Sequence, residues 1–390
     1  KTVMANMVAS YFGKGVDRSR EFNTLKVSGY PWYRKHLNQH NVIHIMFNEM
    51  PQNCKFYDSY LSRIQSLLMD DLQMMYPHVR LREDEAVWDA LRKIYEYCDR
   101  ERFIFIFDEW DFIYHQDFAS DEEKQAFTKF LSNLLKDKAY VEMAYMTGIL
   151  PIKKDGSQSS ISEFDEYSMV KPLFFDKYVG FTEDEVRCLC EKNNVDFKTM
   201  KQWYDGYVFR NVGSVYNPNS VMKSIRFDEF DSYWTETSAA EGLMDYISKG
   251  YKALTRTIAE LIGGVAVKVS ITGFANDLTT FRGRDDVLTL MIHLGYLAYD
   301  AENQTVRIPN EEIKLEFQKA VRDVKHEATM KRLEESDQLF FDTIHEKADA
   351  VAAQIEKIHM EETVPLHYNK EDSLRSVIKL AYYTYRDHYV

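Results

Sequence analysis

Along the first 150 residues the hydrophobic positions switch between two patterns. Residues 2–12 carry apolar side chains at 3, 4, 7, 8, 11 and 12, the stripe of an amphipathic helix, and Gly13-Lys14-Gly15 ends it. Residues 42–47 (VIHIMF) form a short apolar run that predicts a buried strand. Two amphipathic stretches, 56–75 and 83–99, predict helices, the first stopped near Pro77. FIFIF at 103–107 is wholly apolar and gives way abruptly to Asp108-Glu109-Trp110-Asp111. A helix over 122–135 and a strand over 141–146, followed by Thr147-Gly148, complete the series. Helices alternating with short apolar strands predict an α/β layer built on a parallel sheet.

Beyond Pro151 the character changes. Residues 153–162 (KKDGSQSSIS) are polar and rich in serine, the composition of a loop. Thr182 is placed to cap a helix, with Glu185 three residues later as its capping-box partner. From there to about 250 the pattern predicts short helices packed through Trp203, Tyr204, Tyr207, Trp234 and Tyr246. A helix over 287–294, Gly295, and strands over 296–299 and 305–308 have the sequence shape of a winged helix. Residues 311–359 read as charged and helical, and a further helix is expected over 373–389.

Composition narrows the class. A length of 390 residues suggests two or three domains. Aromatics at 14% exclude a disordered polymer, and four cysteines exclude a small disulfide scaffold. No apolar run is long enough to span a membrane. Cys54, Cys98, Cys188 and Cys190 form no CxxC pair; as reduced, buried thiols they point to the cytoplasm. His36, His40 and His44 are four apart, the spacing of one helix face, but the strand pattern over 42–47 favours ordinary loop and strand histidines over a metal site.

A net charge of −13 argues against a surface that coats nucleic acid, while leaving a local basic site open. The charge is uneven. Residues 1–50 hold seven Lys and Arg against three acids, and residues 101–150 are rich in Asp and Glu. Two readings stay open: a basic segment facing an acidic one across a phosphate–metal site, or two solvated faces.

Two local signals carry chemistry. In FIFIFDEWD, an apolar strand ends in two acids, which places carboxylates at the carboxyl edge of a parallel sheet, where ligands of open α/β sheets bind. In P-loop ATPases the first such acid holds magnesium and a following Glu polarises the attacking water. The second signal is Lys1-Thr2 directly before a helix, the last two residues of the phosphate-loop pattern GxxxxGK[ST]. There the Lys reaches the β- and γ-phosphates and the hydroxyl binds magnesium. The order helix, strand, two helices, acidic strand, and a strand ending in Thr147 fits an ATPase with an extra strand between phosphate loop and acidic strand. Thr147 reads either as a sensor of the γ-phosphate or as a turn cap before Gly148.

With these motifs in place, the chain resembles the predicted AAA-ATPase-like family of bacteria. The resemblance rests on KTVMANMVASYF (1–12), FIFIFDEWD (103–111), MTGIL (146–150), YVGFTEDEV (178–186), WYDGYVF (203–209) with YNP (216–218), and SYWTETS (232–238). It implies a P-loop NTPase-type parallel sheet with helices on both faces over 1–178 and a helical lid over 179–250. A winged-helix-like module over 251–318 and a helical linker over 319–390 follow, leading into a PD-(D/E)XK nuclease-like domain. It implies ATP and Mg2+ as cofactors, Lys1 and Thr2 as the phosphate Lys and magnesium Thr, and Asp108 as the magnesium acid. Glu109 is implied as the general base and Thr147 as the sensor. Asp111 fits the family pattern with a loop cap as its expected role. Glu371 is a candidate nuclease-fold acid or a surface Glu.

The glycines of the phosphate loop are expected before Lys1, and the nuclease strand acids and Lys after Val390, so the chain reads as the central piece of a longer protein. A polypeptide that truly began at Lys1 would bind ATP poorly. The expected function is ATP binding and hydrolysis controlling an attached nuclease-like domain. Two alternatives stand beside it: a nucleotide-dependent switch with little hydrolysis, and a winged-helix binder of DNA or RNA through Arg282 and Arg284.

Overall fold

The computed structural model describes residues 1–51, 54–82, 84–116, 118–149, 164–234, 252–272, 283–323, 327–362, 378 and 381–382. The chain divides into two compact units, one spanning Lys1–Glu166 and the other starting at Tyr167.

The first unit contains α1 (Thr2–Phe12), α2 (Ser19–Phe22), α3 (Tyr33–His36), β1 (Asn41–Met46), α4 (Tyr57–Met75), α5 (Val87–Tyr97), β2 (Phe103–Asp108), α6 (Asp121–Leu135) and β3 (Val141–Met146). Its strands pair in parallel in the order β1-β2-β3. Each expected helix and strand of this stretch forms, with boundaries displaced by a few residues. Two shifts have a local cause. The helix expected from 83 starts at Val87, after Ala86 in extended backbone. The helix expected from 122 starts at Asp121, because Ser120 accepts from the Glu123 amide while the Glu123 carboxylate accepts from the Ser120 amide.

Residues on the central strand β2 explain why its run is apolar throughout. Alternation sends Phe103, Phe105 and Phe107 to one face, where they pack with α4, α5 and α6 through residues such as Tyr60, Leu91 and Phe127. Ile104 and Ile106 go to the other face and pack on Ala5, Val8 and Ala9 of α1. With helices on both faces, all six β2 residues are buried. A fully buried Phe or Ile contributes roughly 1.5–3 kcal/mol, so this strand anchors both layers.

A small cap follows α1. Asn38, at a left-handed φ of 56°, donates to the carbonyls of Ser10 and Gly13 and accepts from the Arg18 amide. Tyr11, Phe22, Tyr33 and Leu37 form its core.

The second unit holds two antiparallel sheets. In the first, β4 (Phe181–Thr182) and β5 (Tyr207–Phe209) flank β6 (Gly213–Tyr216), packed with α7 (Glu183–Asn193), α8 (Phe197–Tyr204) and α9 (Pro218–Phe227). Thr182 and Glu185 make the expected reciprocal cap of α7. Further along lie α10 (Lys252–Ile262), β7 (Val267–Lys268), α11 (Arg284–His293), β8 (Ala298–Asp300) and β9 (Thr305–Arg307). The helix-then-hairpin order read from the sequence is present, and its sheet runs β7-β9-β8.

The WYDGY segment works as a structural clasp within this unit. Gly206 adopts φ +126°, and a Cβ there would lie 2.1 Å from the Pro309 carbonyl oxygen. Tyr204 donates to the Asp231 carbonyl at 2.9 Å, and Tyr207 donates to the Gly295 carbonyl.

The charged stretch 311–359 is three helices, α12 (Glu311–Asp323), α13 (Glu327–Ile344) and α14 (Ala348–Glu362). Two of its acids, Glu312 and Glu316, are buried and receive hydrogen bonds from Ser220, Ser232 and the Tyr233 amide. Among the described residues no helix is long and apolar enough to cross a membrane. The expected loop at 153–162, Tyr246, Arg282, Glu371 and nearly all of the helix expected over 373–389 lie outside the described residues.

Candidate functional site

The alternation that sends Ile104 and Ile106 toward α1 continues to Asp108, the last residue of β2. Asp108 is 1% exposed. The Thr147 hydroxyl, just past β3, donates to its Oδ1. Thr147 is held in place by its own backbone: its amide donates to the Phe107 carbonyl at 2.8 Å, and its carbonyl accepts from the Trp110 amide at 3.0 Å. The Glu109 amide reaches the same hydroxyl oxygen at 3.4 Å.

Glu109 sits at φ +50°, in the left-handed region that costs a non-glycine residue on the order of 1 kcal/mol or more. The turn leaves the Asp108 carboxylate buried and that of Glu109 half-buried. One acid is therefore fixed and shielded, and its neighbour is accessible.

The start of α1 lies at this same end. The Lys1 backbone nitrogen lies within electrostatic reach of both Asp108 and Glu109. The Lys1 side chain is exposed, and half-buried Thr2 opens the helix. No hydrogen bond joins Thr2 to Asp108 among the described residues. The structure thus links Asp108, Glu109 and Thr147 by hydrogen bonds and brings Lys1 to them by charge.

His44 was missed as part of this neighbourhood. Register sets Met46 beside Asp108 and, two residues back, His44 beside Ile106. His44 shares the α1 face with Val42 and Ile106, and its buried Nε2 has no hydrogen-bond partner. Burial lowers its pKa, against the opposing charges of Asp108 and Glu49. The available signal was parity: His44 is two residues after apolar Val42 on a strand. His36 and His40 lie elsewhere. His36 Nδ1 is 2.9 Å from His40 Nε2, and His40 Nδ1 is 3.0 Å from Glu142. The three histidines do not line one helix face, since only His36 is helical.

Asp111 caps the loop after β3: its Oδ2 accepts from the Ile149 amide at 2.7 Å. Gly148 fits beneath this cap, where a Cβ would lie 2.5 Å from Trp110 Nε1 and 2.8 Å from Asp111 Oδ1. Trp110 belongs to the buried core and cannot swing away. Gly148→Ala is expected to cost about 1–3 kcal/mol and to move the adjoining Thr147 hydroxyl off Asp108. Thermal unfolding of the variant checks the first effect; an unchanged transition would show that the loop yields freely.

Asp108 offers a buried carboxylate that accepts one hydroxyl hydrogen bond, and Thr2 carries a hydroxyl at the start of α1; both are oxygen ligands of the kind a hard divalent cation takes. Among the described residues no three His, Cys, Asp or Glu side chains form a metal cage. Magnesium at phosphate sites needs no such cage, since it is held by one or two protein oxygens plus phosphates and water.

Among curated proteins none matches this chain. Among solved structures, the Walker-type ATPase of Pyrococcus abyssi aligns over 72% of this chain and 85% of its own, at 12% identity and a TM-score of 0.40, too loose a superposition to transfer residue roles. Residues 1–157, nearly the whole of the first compact unit, match the AAA-ATPase-like family model, described as Predicted AAA-ATPase.

Proposed function

We propose that the first unit is a magnesium-dependent ATP-binding and ATP-hydrolysing module. The observation that supports this best is the bonded set at the strand tips, where buried Asp108 is held by Thr147 beside the accessible Glu109 and the start of α1. The family match over residues 1–157 supports the same reading.

Magnesium bound with ATP would neutralise charge on the β- and γ-phosphates, with Asp108 and the Thr2 hydroxyl as its protein oxygens. The chain's own residues divide the remaining work. Lys1 supplies a cation at a helix start, where first-turn amides lack partners within the helix and favour an anion. Thr147 keeps Asp108 in one rotamer. Glu109, at the outer side of the turn, is placed to accept a proton from water or to orient it.

In this reading the second unit transmits nucleotide state. The helix–hairpin segment containing α11, β8 and β9 is a winged-helix-like module, and the helices after it lead toward a nuclease-like domain that ATP turnover controls. The order of elements supports this. Arg284, one of the two arginines that direct nucleic-acid reading through that module would use, is engaged by Asp285 at 2.8 Å and by the Lys268 carbonyl at 3.0 Å.

The test is ATP binding in protein made from the complete gene, followed with a fluorescent ATP analogue with and without Mg2+. Asp108→Asn is expected to remove the strengthening that Mg2+ brings to wild type, about tenfold or more, while binding in EDTA stays the same. An identical Mg2+ dependence in both proteins would overturn the assignment.

A further inference from the structure

The cap that follows α1 is rich in positive charge. Residues 14–36 hold Lys14, Arg18, Arg20, Lys26, Arg34 and Lys35 against Asp17 and Glu21, within a chain whose net charge is −13. Lys14 pairs with Glu101, and Arg18 with Glu21. Arg20, Lys26, Arg34 and Lys35 are exposed and have no carboxylate partner among the described residues.

Two large rings stand on the same segment. Tyr30 is 52% exposed and Trp32 45% exposed, with ring centroids 5.2 Å apart and planes within 19°. Their backbone is held in turns: the Tyr30 carbonyl accepts from the Tyr33 amide at 3.0 Å, and the Trp32 carbonyl accepts from the Lys35 amide at 3.0 Å. Tyr33 itself is 3% exposed, with its hydroxyl on Asn23 and its carbonyl accepting from Tyr11. The ring series continues inward, with His36 at 6.4 Å from Trp32 and His40 stacked on His36 at 5.1 Å.

We propose that the exposed Tyr30–Trp32 stack, with Lys26 on the turn before it and Arg34 and Lys35 on the turn after it, is a binding platform for single-stranded nucleic acid. A planar stack exposed to water accepts another flat π-system on its open face, and neighbouring unpaired cations track a phosphodiester backbone. Between single strand and duplex, the single strand offers both at once, since a duplex hides its base faces and presents phosphate alone. The geometry fits a stacking surface better than a membrane anchor: the rings are parallel to each other, and the segment is three short turns, not an amphipathic helix. The proposal is independent of the ATPase reading.

The experiment is fluorescence anisotropy of labelled dT20 and rU20 with the full chain, at low salt and without nucleotide, so its failure leaves the ATPase reading intact. Both oligomers are compared with an abasic 20-mer and a 20-base-pair duplex. The expected result is that a single strand binds tighter than the abasic and duplex controls, and whichever of dT20 and rU20 binds tighter identifies the strand. Trp32→Ala is expected to weaken that binding by on the order of tenfold and to leave the abasic control unaffected. Arg34→Gln/Lys35→Gln is expected to make the log–log salt dependence shallower by about 1.4. Because Tyr30 and Trp32 are surface residues, circular dichroism should match wild type. Equal affinity for duplex and single strand, no loss in Trp32→Ala, or binding to anionic phospholipid vesicles in preference to either oligomer would each overturn the proposal.

Discussion

Glu109→Gln is expected to lower ATP turnover by about 100-fold or more, with ATP affinity within a few fold of wild type. The amide keeps the shape of the side chain and its left-handed backbone, so the Glu109 amide still meets Thr147. What it loses is the ability to take a proton from water. Phosphate release and analogue binding, measured on protein from the complete gene, separate the two effects. Equal turnover in variant and wild type would remove Glu109 as the base. Tight ATP binding with no phosphate release in wild type would favour a nucleotide-dependent switch.

The second unit should lose stability as pH rises through the interval from about 4.5 to about 7. Glu312 is 1% exposed, and burial raises its pKa to about 7. Hydrogen bonds from the Ser220 hydroxyl at 2.7 Å and the Tyr233 amide at 2.9 Å oppose the rise, while Glu316 and Asp231 add to it. Between the unfolded and folded pKa values the native state holds a proton that the unfolded chain has released, so unfolding becomes easier as pH increases. The contribution is fully present below about 4.5 and lost above about 7, on the order of 3 kcal/mol in all. Glu312→Gln keeps an oxygen for both donors and has no charge to bury. It is expected to be more stable than wild type at pH 8 and to show a flatter pH profile between 5 and 8. Denaturant unfolding at both pH values checks this, and parallel profiles would show that Glu312 is not the group responsible.

Much of the first unit was legible because its strands are buried on both faces. FIFIF has to be apolar at every position when α1 covers one side and α4 to α6 the other, and a run that short cannot be a helix of ordinary length. The two acids after it also announced a strand end. Patterning could not say which side chains would meet. Thr147 lies 39 residues from Asp108, and only the parallel register of β2 on β3 brings its hydroxyl to Oδ1.

The same limit explains what was overlooked. His44 looked like an isolated strand histidine, because its neighbour Asp108 arrives through pairing with another strand. Glu312 is by sequence one more acid in the first turn of a charged helix, because the partners it meets when buried, Ser220 and Tyr233, are 92 and 79 residues away. Tyr30 and Trp32 carried no signal at all, since an aromatic residue is more often buried than stacked in the open.

Element order, helical and extended periodicity, the α7 cap and the acidic strand tip were therefore determined by the sequence alone, because each depends on residues within a few positions of one another. The bonded set around Asp108, the orphaned His44 nitrogen, the raised Glu312 and the exposed ring pair were decided only by tertiary structure. Contact, burial and exposure depend on which distant segments pack together, and no local pattern encodes that.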